Sequence, residues 1–76
     1  MLNTADLIQG DRVRLMSFGQ TDRLYKRRLL ALGVTCGVDV LVARVAPFGC
    51  PVQIDVRDTS IALRVNEARY LQWERL

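Results

Sequence analysis

After Gly33 the hydrophobic repeat of this chain changes period, and that change limits the folds open to it. Before it, Tyr25, Leu29 and Leu32 recur at i, i+4 and i+7, with Leu24 and Leu30 widening the stripe, which is the spacing of one helix face. From Val38 onward the period is two, the spacing of strands. The helical segment has its own boundaries. Thr21 stands as cap, and Asp22 lies in the first turn, where a carboxylate suits the positive end of the helix dipole. Gly33 sits where a helix stops in the left-handed conformation. The pattern predicts one helix, Asp22 to Leu32, inside an otherwise β protein.

The strands follow from alternation and from the turn residues between them. Thr4-Ala5-Asp6-Leu7-Ile8 reads as a short helical turn capped by Thr4 and closed by Gln9-Gly10-Asp11. Arg12 to Met16 is a first strand with Val13 and Leu15 facing inward, and Ser17 to Gln20 is a loop. Val38, Val40 and Val42 point one way, Asp39, Leu41 and Ala43 the other. With both faces largely apolar, this strand is expected at the centre of the sheet or between layers. Ala46-Pro47-Phe48-Gly49-Cys50-Pro51 breaks it, and Val52 to Val56 is a half-buried strand. Arg57-Asp58-Thr59 turns the chain into a fourth strand, Ser60 to Arg64. Val65 to Ala68 forms one helical turn, and Tyr70 to Trp73 a closing strand. Five short strands with one helix between the first two predict a mainly β fold, a small, partly closed SH3-like β-barrel. The closing strand is expected to pair with the first and remove the exposed edges.

With 76 residues, the chain is read as a single domain spanning 1–76, near the size at which one core is only marginally stabilising. Half of its residues are hydrophobic, enough for a compact core with little left to enclose a substrate pocket. No apolar run approaches the ~18–20 residues that cross a bilayer. Met1 to Asp6 lacks the basic and apolar regions of a secretory signal, so the expected location is cytoplasmic. The net charge is +3, a value that solubility alone explains, although all but one of the eleven cations are arginine.

These residues argue against catalysis. Acid/base chemistry commonly rests on a histidine or a carboxylate pair, and the chain has no histidine. Asp39, Asp55, Asp58 and Glu67 fall on polar strand positions or in turns. Cys36 and Cys50 are fourteen positions apart with no CxxC spacing, so a zinc site within one chain needs further carboxylate ligands, and a reducing cytoplasm disfavours a disulfide. Cys50 has no histidine to act as its base. Neither GxGxxG nor GxxxxGK[ST] occurs among the five glycines. No enzyme activity, metal site or cofactor is expected.

Two features read as binding surface. Residues 46–51 form a stiff projection of two prolines, a glycine and a phenylalanine. In one reading Phe48 caps the end of the barrel. In the other it anchors a protein interface, where aromatics supply disproportionate energy and prolines lower the cost of ordering. The second feature is the run Lys26-Arg27-Arg28 on the helix; three successive residues fan out over about 200°, and Arg28, beside the apolar stripe, can snorkel along it. The candidate partner-binding residues are Pro47, Phe48, Gly49, Pro51, Arg27 and Arg28. Nucleic acid is disfavoured as a partner, because Phe18, Tyr25, Phe48, Tyr70 and Trp73 do not cluster on one strand pair for base stacking.

Arg28-Leu29-Leu30-Ala31-Leu32-Gly33-Val34 with Gly37, then Val42 to Val52, then Ile61-Ala62-Leu63-Arg64 with Glu67-Ala68, resemble the FeoA family, ferrous iron transport protein A, from Leu7 to Tyr70. The resemblance implies an SH3-like barrel and a cytoplasmic bacterial accessory of FeoB, the membrane GTPase-permease of ferrous iron uptake. Contact with the membrane is then only through that partner. Similar domains form the C-terminal module of some metal-dependent repressors. The family is described as binding transition metals, so direct Fe(II) binding or sensing, with weak self-association at an oligomer interface, stands as the alternative function. A small-barrel nucleic-acid binder is the third.

Overall fold

The computed structural model describes all residues from Met1 to Leu76. Five strands form one antiparallel sheet: β1 (Arg12–Ser17), β2 (Asp39–Val45), β3 (Val52–Val56), β4 (Thr59–Leu63) and β5 (Gln72–Arg75). A helix, α1 (Arg23–Ala31), lies between β1 and β2 as the periodicity requires. The strand order is β4-β3-β2-β1-β5, which places β2 in the centre, where its apolar content put it. Irregularities in register at Leu15/Ser17 on β1 and at Val42/Arg44 on β2 bend the sheet toward a barrel.

Alternation decides what lies inside. Val13 and Leu15 of β1, Val40 and Val42 of β2, Val52, Ile54 and Val56 of β3, and Ile61 and Leu63 of β4 are all buried. Trp73 of β5 and Leu29 of α1 join them in one apolar cluster. The residues between face solvent or the sheet's outer surface, where Arg14 Nε contacts Asp39 Oδ1 at 2.7 Å.

The helix departs from expectation in two respects. Its N-cap is Asp22, whose carboxylate accepts from the backbone N–H groups of Leu24 and Tyr25; Thr21 instead donates its hydroxyl to the Phe18 carbonyl. The apolar stripe is also narrower than predicted. Leu29 is buried and Tyr25 half-buried, whereas Leu24, Leu30 and Leu32 are exposed. At about 100° per residue, Leu24 and Leu30 point well away from Leu29, and a short helix touching a rounded barrel covers only one line of side chains. Leu32 is the C-cap, beyond the last regular turn, with Gly33 at φ +95° after it.

Both chain ends also differ from the reading. The N-terminal turn is a 3-10 turn, Thr4–Asp6, with Asn3 at its cap, and Asn3 N–H donates to Asp6 Oδ2 at 3.0 Å. Thr4 is no cap but a fully buried residue. The last strand begins at Gln72 instead of Tyr70, because the chain is still turning there: Leu71 N–H donates to the Ala68 carbonyl at 3.1 Å. β5 pairs with β1 as expected, but the pairing leaves β4 and β5 as the two ends of the sheet. The outer side of β5 is covered by Leu2, which exchanges two backbone hydrogen bonds with Trp73 at 2.8 and 2.9 Å.

Candidate partner-docking site

The loop between β2 and β3 owes its form to its residue types. Gly49 N–H donates to the Ala46 carbonyl at 2.8 Å, closing a four-residue turn with Pro47 in its second position, where its fixed φ suits the turn. Gly49 follows at φ +83°, a conformation that a side chain would strain. Ala46 N–H donates to the Pro51 carbonyl at 3.2 Å, and the Cys50–Pro51 peptide is cis. Phe48 occupies the third turn position and is 99% exposed. Its ring therefore does not cap the barrel, and the first of its two readings is set aside.

Behind this tip lies an open hollow of about 610 Å³ between Phe48, Gly49 and Cys50 on one side and Ala5, Val65, Asn66 and Arg69 on the other. Its far wall is the turn from Arg64 to Tyr70. Glu67 and Ala68 N–H groups both donate to the Arg64 carbonyl, and Ala68 is fully buried. Thr4 fixes this wall from within. Its hydroxyl donates to the Ala68 carbonyl at 2.8 Å and accepts from the Trp73 indole Nε1–H at 3.0 Å. Arg69 places its guanidinium 4.9 Å from the Tyr70 ring centroid, where the ring face attracts a cation.

Arg27 and Arg28 lie elsewhere. Both are exposed on α1, neither takes part in an ion pair, and neither lines the hollow. The helix does approach the same turn. Burial raises the Tyr25 phenol above its usual pKa, the Glu67 carboxylate adds to this, and Arg28 opposes it. Lys26 is drawn to the Phe18 ring, its Nζ 5.1 Å from the centroid. The structure thus gathers Phe48, Gly49 and Cys50 with the Val65–Arg69 segment, and leaves the helix cations on a separate surface.

The cysteines are both free and exposed; Cys50 lines the hollow and Cys36 does not. Nowhere do three Cys, Asp or Glu side chains come together as a metal-holding group, so the residues present do not form a preassembled metal centre. Thr4 and Arg69 escaped sequence reasoning. Thr4 could have been found from Trp73, since a buried indole N–H needs an acceptor. Arg69 carried no local signal.

A curled five-stranded antiparallel sheet with one inserted helix and an aromatic-tipped loop defines an SH3-like domain protein. The FeoA domain model matches residues 3–75, and the chain belongs to the FeoA family. The solution structure of the FeoA protein from Chlorobium tepidum is similar, with a TM-score of 0.87 and 29% identity over 99% of this chain and 70% of that one. A crystal structure of Stenotrophomonas maltophilia FeoA complexed with zinc, described as an SH3 domain protein, superposes with a TM-score of 0.80 at 25% identity over 97% of this chain and 91% of that one. A Pseudomonas aeruginosa protein solved in solution gives 0.69 at 30% identity, over 95% and 97% of the two chains. The family is a small, transport-associated accessory family linked to ferrous iron uptake.

Proposed function

We propose that this chain acts as one domain, in the cytoplasm and without catalytic activity of its own, by docking on the cytoplasmic part of FeoB and modulating it. The docking surface is Pro47, Phe48, Gly49 and Pro51 with the hollow behind them. One observation carries the reading: a phenylalanine 99% exposed at the tip of a hydrogen-bonded proline turn, where the fold makes no use of its ring. A polar residue would close the same turn. Held out by Pro47 and Gly49, the ring is pre-ordered for burial against a partner, which lowers the entropy lost on binding. No helix of the chain is long and apolar enough to cross a membrane, and in this proposal contact with the membrane is through FeoB.

The test is Phe48→Ala, with melting and co-purification with FeoB measured on the same variant. Truncation should leave stability within about ±0.5 kcal/mol, as for most surface changes. It should weaken association by ~2 kcal/mol, about 30-fold. A variant that folds and still binds FeoB normally overturns the proposal. Arg27→Ala, measured in the same way, decides whether the cationic helix belongs to the surface: reduced binding with an unchanged melt includes it.

A further inference from the structure

The two ends of the sheet are treated differently. Leu2 covers the outer side of β5, whereas nothing covers β4. β4 follows a two-residue turn, Arg57-Asp58, so the pair nearest that turn, Val56 and Thr59, must exchange both of its hydrogen bonds. Along the register Thr59, Ile61 and Leu63 then bond to β3, and the N–H and C=O groups of Ser60 and Ala62 point outward. No other backbone or side-chain group in the structure bonds to them. Edge strands are ordinarily protected by charge, proline or a bulge. Thr59-Ser60-Ile61-Ala62-Leu63 has none of these, and its pairing with β3 is regular throughout.

The charges at the ends of this strand identify what fits it. Asp58 lies just before β4 and Arg64 just after it, both exposed, and neither forms an ion pair within the chain. Each is three residues from Ile61. When two copies of β4 run antiparallel about a two-fold axis at Ile61, the outward groups of Ser60 in one copy meet those of Ala62 in the other, twice over. In that same register Asp58 of each copy stands opposite Arg64 of its mate. Ser60 and Ala62 share the solvent face of β4; Asp58, in the turn before it, and Arg64, just past its end, are exposed as well, so the charge pairs form at the two ends of the seam. We propose that the protein self-associates by pairing β4 with β4 of a second copy in this register, forming a two-fold dimer with a continuous sheet across the seam. The proposal does not rest on FeoB docking: its observations are the free edge of β4 and the charges of Asp58 and Arg64, and self-association is measured on the protein alone.

Sedimentation equilibrium over a concentration series tests it, with thermal melting to verify that each variant folds. The wild-type protein should show a reversible monomer–dimer equilibrium. Asp58→Arg faces Arg64 with a second arginine, and Arg64→Asp faces Asp58 with a second aspartate. Each substitution alone should weaken the dimer about tenfold or more, because two attractive pairs become repulsive. Mixing the two variants should restore association, since each chain then offers the charge that the other lacks; the double variant should dimerise by itself. A wild-type protein that stays monomeric at all concentrations overturns the proposal. So does a dimer indifferent to both substitutions, or one that mixing fails to restore.

Discussion

The indole of Trp73 donates to the hydroxyl of Thr4 at 3.0 Å, joining the last strand to the first turn in the interior of the barrel. Both residues are fully buried. The hydroxyl in turn donates to the Ala68 carbonyl, which also accepts from the Leu71 N–H, so one side chain provides the indole's sole acceptor and the carbonyl's second donor.

Replacing that hydroxyl should therefore cost more than one hydrogen bond. Thr4→Val keeps the shape but leaves the buried indole N–H unpaired, at about 1–3 kcal/mol, and takes from the Ala68 carbonyl one of its two donors. A loss of ~2 kcal/mol or more in denaturant unfolding is expected, with Thr4→Ser recovering most of it. A melt unchanged by Thr4→Val would mean that the indole N–H finds another acceptor.

Leu29 and Leu32 lie on one predicted stripe but should behave differently. Leu29→Ala removes a side chain that is 1% exposed and should cost ~2–5 kcal/mol, enough to unfold much of the protein. Leu32→Ala, at 41% exposure, should cost under about 1 kcal/mol. Urea unfolding of both variants checks the difference.

In half-buried Tyr25 the phenol Oη is itself buried, and it is the one such side-chain oxygen or nitrogen without a hydrogen-bond partner. Tyr25→Phe removes that group and should leave stability unchanged or raise it by about 1 kcal/mol. It should also alter the alkaline limit. Burial raises the phenol's pKa above the ordinary 10.0, with Glu67 reinforcing it. The neutral phenol's contribution is then complete below pH 10 and lost as pH rises through the higher folded value, because the unfolded chain ionises first. Unfolding midpoints at rising alkaline pH should fall more steeply for the wild type than for Tyr25→Phe.

Cys36 and Cys50 are both exposed, so Cys36→Ser with Cys50→Ser should change stability by no more than about 0.5 kcal/mol. Anaerobic titration with Fe(II) should show no tight one-to-one binding in either protein. A stoichiometric signal that the double variant abolishes would instead make direct metal binding the leading function.

Local alternation made the strands legible: β3 matches its predicted limits, and the buried faces of β1 and β2 follow from every second residue. The helix was legible in position but not in depth. Periodicity shows which side chains share a direction, whereas the curvature of the surface beneath decides how many of them touch it, and Leu24 and Leu30 fall outside. Thr4 was misread because a threonine before a short turn looks the same whether it caps that turn or bonds to residues more than sixty positions away. At the candidate site, the projecting loop was visible from Pro47, Phe48 and Gly49. The opposite wall, formed by Val65 to Arg69, was not, since only the folded barrel brings it there.

The bridge between Leu2 and Trp73 bears on how the chain acquires its structure during synthesis. β1 can find β2 as soon as the middle of the chain has emerged, but its other neighbour is made last, together with the indole that satisfies Thr4. Until Trp73 leaves the ribosome, the growing chain lacks one flank of β1 and a large part of its interior. Completion of the barrel thus waits for the last of its five strands, and until then the apolar faces of the earlier strands stay open on that flank.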